Sequence, residues 1–296
     1  MRNFLKKMSG ILLLLLCCTI LSGCQSHKQT QTKHLTQIKV VSTTNFYGQV
    51  AQEVLGKHGK VTSIIDSPNV DPHDFTPTVA TAKKVAKSNL VIYNGVGYDT
   101  WVKRLQGSKY LSVAQLVGAK DGDNEHLWYN PQNVERLTDA LVTQYSKLLP
   151  QYRTDFEHNA QQYKQKLHQL DTKMDQIKHL KTKATIAVSE PAFDYALKAM
   201  GFHIIDNHFS LAIEEGSDPS YTDIAKLQNA IKQHRIAFFV LNKQSESKIV
   251  DNMVKLCKQE HIPIVKVTET MPSNDSYIEW FDAELNQILK IVKQHA

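Results

Sequence analysis

Cysteine is scarce in this chain. Of four in 296 residues, Cys17, Cys18 and Cys24 crowd the N-terminus and only Cys257 lies further on. That distribution excludes a disulfide framework for the body of the chain. Cys257 falls in an amphipathic stretch, VDNMVKLCKQEH, where a cysteine serves as a small buried apolar residue. No apolar run approaches the ~20 residues that a permanent bilayer-spanning helix requires. HExxH, GxSxG and Gly-rich phosphate loops are all missing, which removes the usual signatures of zinc peptidases, serine hydrolases and P-loop ATPases. A strong charge imbalance is lacking too: 35 Lys and Arg against 29 Asp and Glu give a formal +6, too small and too scattered for a nucleic-acid partner.

What is present begins at the N-terminus. Arg2, Lys6 and Lys7 precede an apolar run from Ile11 to Leu16, the charged and apolar regions of a secretory signal. The run closes on Leu21, Ser22, Gly23 and Cys24, which resembles a bacterial lipobox. That resemblance implies cleavage before Cys24 and lipidation of its thiol, so that residues 1–23 are a lipoprotein signal peptide. The mature protein is then expected at the outer face of the cell membrane, held by the buried methylenes of its lipid at ~0.8 kcal/mol each. Residues 25 to 37, QSHKQTQTKHLTQ, are polar and without periodicity, so that 24–37 reads as a flexible tether.

From Ile38 onward, short β-rich runs alternate with helical patterns. IKVVSTT (38–44), KVTSII (60–65), LVIYNG (90–95) and a weaker YLSVAQL (110–116) come first. ATIAVS (184–189), HIIDN (203–207), IAFFVLN (236–242) and IPIVKVTE (262–269) follow. Helical patterns at 45–56, 78–87, 192–200, 222–234 and 246–260 separate them, the arrangement of parallel sheets covered on both faces. Between the two sets lies a strand-free stretch in which Tyr152, Phe156, Tyr163, Leu167, Leu170, Met174, Ile177 and Leu180 form a single apolar stripe. The expected fold is therefore α/β: two lobes, each with a parallel four-stranded sheet flanked by helices, joined by one long rigid helix. The boundaries are an N-terminal lobe over 38–130, a helical linker with the strut over 131–183 and a C-terminal lobe over 184–296.

Open parallel sheets bind ligands at the carboxyl ends of their strands. After the second strand comes Ser67 to Phe75, in which His73 is flanked by Asp71 and Asp74; after the fourth comes Asp121 to Trp128, with Glu125 and His126. The fifth strand ends at Ser189 and Glu190, and the eighth at Thr268, Glu269 and Thr270. Two imidazoles and two carboxylates satisfy a divalent transition ion. Asp275 and Asp282 compete with Glu269 if the turn after it is read differently. Asp71, Asp74, Asn94 and Glu125 are the candidates for the outer hydrogen bonds that fix a ligating imidazole. Tyr98 and Trp101 either wall the cleft or pack the helix they begin. His158, His168 and His179 read as a solvated face of the strut.

At these residues the chain resembles the cluster A-I, ZnuA-like substrate-binding lipoproteins of zinc and manganese ABC importers. DPHDFTPT (71–78), LVIYNGVGYDTW (90–101), NEHLWY (124–129), SEPAFDYALKAMG (189–201) and VTETMPSNDSYIEWF (267–281) fall in that family's order and together cover the mature chain. The resemblance implies one metal in the interlobe cleft, Zn2+ or Mn2+ as cargo, with His73, His126, Glu190 and Glu269 as its ligands. It also implies a non-enzymatic monomer, anchored through Cys24, that delivers the ion to a permease and its ATPase. The chain departs from the pattern at Glu190, where many zinc members have His, at Glu269, where many members have Asp, and in having no long His-rich loop before His126. A two-imidazole, two-carboxylate set is harder and leans toward manganese, although zinc stands above manganese in the Irving-Williams order. A surface metal-dependent hydrolase, a siderophore- or corrinoid-binding protein and an adhesin are the competing readings.

Overall fold

Eight strands among the described residues pair into two all-parallel sheets with the same topology. The computed structural model describes residues 35–294 apart from 71, 73, 74 and 246. The signal segment, the tether as far as residue 34, Cys24, Asp71, His73 and Asp74 lie outside the described residues. In the N-terminal lobe β1 (Ile38–Thr44), β2 (Gly59–Ile65), β3 (Leu90–Tyr93) and β4 (Tyr110–Ser112) stand in the order β2-β1-β3-β4. In the C-terminal lobe β5 (Thr185–Val188), β6 (His203–Ile204), β7 (Phe239–Asn242) and β8 (Ile264–Val267) stand in the order β6-β5-β7-β8. Each sheet thus has a switch point at its centre, β1/β3 and β5/β7, where successive crossovers leave in opposite directions and open a crevice above the strand ends.

Several helices begin at a side-chain cap. α1 (Asn45–Leu55) follows β1 directly, and α2 (Val79–Ala86) opens with a capping box in which Thr78 and Thr81 satisfy each other's backbone N–H groups. The strand expected over 110–116 pairs only as far as Ser112. There the Ser112 hydroxyl accepts the Gln115 N–H, and α3 (Val113–Val117) forms until Gly118 ends it in the left-handed region, φ 78°. Asn130 caps α4 (Pro131–Leu148), with Pro131 in the first turn. The strut, α5 (Arg153–Leu180), has 28 residues, or about 42 Å at ~1.5 Å each.

α6 (Asp194–Ala199), α7 (Asn207–Glu214), α8 (Tyr221–Lys232), α9 (Lys248–Gln259) and α10 (Tyr277–Gln294) complete the C-terminal lobe. The sequence reading named neither α7 nor α10. Yet α10 carries a clear helical stripe, with Trp280, Phe281, Leu285, Ile288, Ile291 and Val292 buried.

The strut buries Phe156, Tyr163, Leu167, Leu170, Met174 and Ile177, as its stripe requires. Its apolar face packs on α1 of the N-terminal lobe, on its linker neighbour α4 and on α10 of the C-terminal lobe. His158, His168 and His179 are exposed on its far side. One core cluster consequently runs from Val40 and Phe46 through the strut to Val188, Val240 and Leu285. The lobes meet over an aromatic group in which Tyr129 contacts Phe193, Trp280 and Phe281 at ring separations of 4.6 to 5.4 Å.

Candidate metal site

His126, at the end of the loop leading to α4, is fully buried. Asn124 holds it: its Oδ1 accepts from the His126 backbone N–H at 2.8 Å and from Nδ1 at 2.9 Å. With its proton on Nδ1, the ring presents the Nε2 lone pair, the form in which imidazole ligates a metal. The same Asn124 reaches into the other lobe, where Nδ2 donates to the Pro191 carbonyl at 2.8 Å and the Tyr195 hydroxyl donates to the Asn124 carbonyl at 2.8 Å. Asn94 contributes one step further out, donating to the Glu125 carbonyl at 2.8 Å while its Oδ1 accepts from Tyr47.

Three residues bring ligand atoms within 4.8 Å of one another: Glu125, His126 and Glu214. Ligands at ~2.1 Å on a tetrahedral ion lie roughly 3.4 Å apart, so an ion held by His126 would lie beside both carboxyl groups. His126 Nε2 already stands 3.4 Å from Glu214 Oε1. Glu190 and Glu269 border the same cleft of about 990 Å3, together with Glu214, Asn242 and Gln244 from the C-terminal lobe and Pro68 and Asn69 from the N-terminal lobe. Glu190 leaves the end of β5 at the switch point, and Glu269 is buried just beyond β8.

The electrostatics show how closely these carboxyls crowd. Burial pushes the Glu214 carboxyl up to about 10, reinforced by the charges of Glu269, Glu190 and Glu125 and by a hydrogen bond with Glu125. Four carboxyl groups thus press on one volume, an arrangement that a bound cation relieves. Tyr98 faces the same volume: burial raises its hydroxyl well above the usual phenol range, with the charge and hydrogen bond of Glu269 next. Tyr98 is placed by the turn Gly95 to Gly97, which runs through positive φ and which Asp99 ties down through the Asn94 and Gly95 N–H groups at 2.7 and 2.9 Å. Trp101 packs instead on Phe75, 4.7 Å between ring centroids.

Of the residues proposed from sequence, Glu190 and Glu269 line the cleft, His126 and Glu125 adjoin it through Glu214, and His73, Asp71 and Asp74 lie outside the described residues. Asp282 turns away to Lys173 and Asn286, and Asp275 is exposed. Asn124 and Glu214 were passed over. Glu214 ends a helix rather than a strand, so the strand-end rule does not reach it; the signal was its place in the Glu214-Glu215-Gly216 helix terminus. Asn124 was hidden by its acidic neighbours, which looked like better partners for an imidazole.

The family model of ZnuA, described as zinc-uptake complex component A, periplasmic, matches residues 40–291. The manganese-binding lipoprotein MntA of Bacillus subtilis is 28% identical over 245 residues, 77% of this chain and 78% of that one. The manganese ABC transporter substrate-binding lipoprotein PsaA of Streptococcus mitis is 25% identical over 96% of this chain and 98% of its own length. Among solved structures, the periplasmic zinc binding protein TroA of Treponema pallidum superposes with a TM-score of 0.72 at 18% identity, covering 86% of this chain and 99% of that one. The two-lobed fold with a helical strut is thus shared.

Proposed function

The chain belongs to the ZnuA family of metal-uptake substrate-binding components, and from that premise we propose that it takes one zinc or manganese ion into the interlobe cleft and passes it to an ABC permease driven by its ATPase. Family membership supports a transport component. The observation that carries the reading is the convergence of a buried imidazole, oriented through Nδ1 by Asn124, with four carboxyl groups, among which burial and then the neighbouring charges raise Glu214 to about 10. Such a site gains most from a divalent cation.

His73 and His126 are the nitrogen ligands of this proposal, and Glu190 and Glu269 the oxygen ligands. Glu125 and Glu214 add negative charge at the edge of the coordination sphere. Four protein ligands leave a tetrahedral ion no open position for an activated water, which argues against a hydrolytic role. The chain acts as a monomer at the outer face of the membrane, anchored by lipid on Cys24, in keeping with the lipoprotein names of MntA and PsaA.

Titration of the metal-stripped chain with zinc and with manganese tests the site. One ion per chain is expected, lost or weakened at least 100-fold in His126→Ala and Glu190→Ala and left unchanged in His168→Ala. Wild-type stoichiometry and affinity in both cleft variants would remove the assignment.

A further inference from the structure

β7 lies between β5 and β8, so the loop that leaves it is flanked by Glu190 on one side and Glu269 on the other. Its side chains engage both. Asn242 Nδ2 donates to Glu190 Oε2 at 2.5 Å. Gln244 Oε1 accepts from the backbone N–H of Glu269 at 2.8 Å and of Thr270 at 3.1 Å, while its Nε2 donates to Thr270 Oγ1 at 3.0 Å. The loop is itself fixed, since the Asn242 N–H donates to Ser189 Oγ at 2.9 Å and the Gln244 N–H to Asn242 Oδ1 at 3.1 Å. Asn242 is only 2% exposed, so its amide acts away from bulk water, where a hydrogen bond to a carboxylate is strong.

The two contacts differ in kind. Gln244 fixes the backbone that carries Glu269 and leaves that carboxylate alone. Asn242 instead engages one of the two oxygens that Glu190 would need to bind an ion through both. The geometry points to Asn242 as a specificity-determining residue that holds Glu190 to ligation through one oxygen, with Gln244 as a positioning residue for Glu269. This rests on the reading of Glu190 and Glu269 as ligands. Zinc is satisfied by four ligands in a tetrahedron, whereas manganese prefers an octahedral, oxygen-rich sphere. A one-oxygen Glu190 therefore favours zinc, against the lean toward manganese that the carboxylate content alone would give. The loop sets the balance between the two ions through a residue that touches neither.

Zinc and manganese dissociation constants of the full chain, measured by competition with a chromogenic chelator, test this in Asn242→Ala and Gln244→Ala, with Glu190→Ala alongside. Asn242→Ala should keep one ion per chain and weaken zinc by about 10- to 100-fold, the range seen when an outer partner of a ligand is removed. Manganese should weaken much less, because the released oxygen completes its sphere, so that the zinc-to-manganese affinity ratio falls about tenfold. Zinc-edge X-ray absorption should then show one more oxygen neighbour. Gln244→Ala should weaken both ions in proportion. Unfolding of the metal-free variants checks that they fold, and Asn242→Leu, of the same shape without the amide, gives the same test if alanine loosens the loop. An unchanged zinc-to-manganese ratio in folded Asn242 variants overturns the role of Asn242. Wild-type binding in Glu190→Ala would instead overturn the ligand assignment, whatever the ratio.

Discussion

At Glu214 burial and three like charges act on one carboxyl, and its proton is held up to about pH 10 against an ordinary 4.5. Asp206 and Glu284, both buried, rise to about 8 chiefly through burial. A carboxyl that binds its proton more tightly in the folded state stabilises the fold below its unfolded value, and loses that contribution as pH rises through the folded one. The metal-free protein should therefore lose stability between about pH 5 and pH 9. Glu214→Gln, a neutral stand-in for the protonated acid, should recover on the order of 1–3 kcal/mol of it at pH 7 in urea unfolding. The gain should vanish near pH 4.5, and metal affinity should fall in the same variant.

Since ligands and their neighbours must shed protons, metal uptake should release protons and strengthen with pH. Calorimetry in buffers of different ionisation enthalpy measures this, and a buffer-independent heat would contradict it. That Glu190 and Glu269 border one cleft was legible in the sequence because a parallel sheet delivers its strand ends to one edge. Glu214 and Asn242 were not: the first depends on how far α7 runs, and the second on the order of strands in the sheet, which a linear pattern does not reveal.

The strut shows what an element contributes. Leu167 and Leu170 are fully buried between helices of both lobes, while His168 beside them is exposed. Leu167→Ala should destabilise the protein by about 2–5 kcal/mol, as cavity-forming substitutions do. His168→Ala should stay within about 0.5 kcal/mol, both by chemical denaturation. The strut was readable because one stripe repeats over its whole length. β4 and α3 were not separable, since VAQL suits a strand or a helix and the choice fell to the Ser112 cap and the Gly118 terminus. The α10 stripe of Trp280, Phe281, Leu285, Ile288, Ile291 and Val292 stands equally plainly in the sequence.

Over the whole molecule, the lobes are tied by more than the strut. Asn45 Nδ2 donates to the Met271 carbonyl at 2.6 Å, Ser273 Oγ to the Asp66 carbonyl at 2.7 Å and the Tyr277 hydroxyl to the Trp128 carbonyl at 2.5 Å. With a continuous core beneath them, these bonds hold the two lobes against each other. A single transition-metal ion, held by side chains of both lobes, is the expected occupant of the cleft. Anomalous scattering from crystals of the zinc-loaded chain, recorded on either side of the zinc edge, tests it most directly. One peak per chain at ~2.0–2.2 Å from His126 Nε2 and a Glu190 oxygen is the predicted result. A dominant peak on the exposed histidines of the strut, with no density between the lobes, would contradict it.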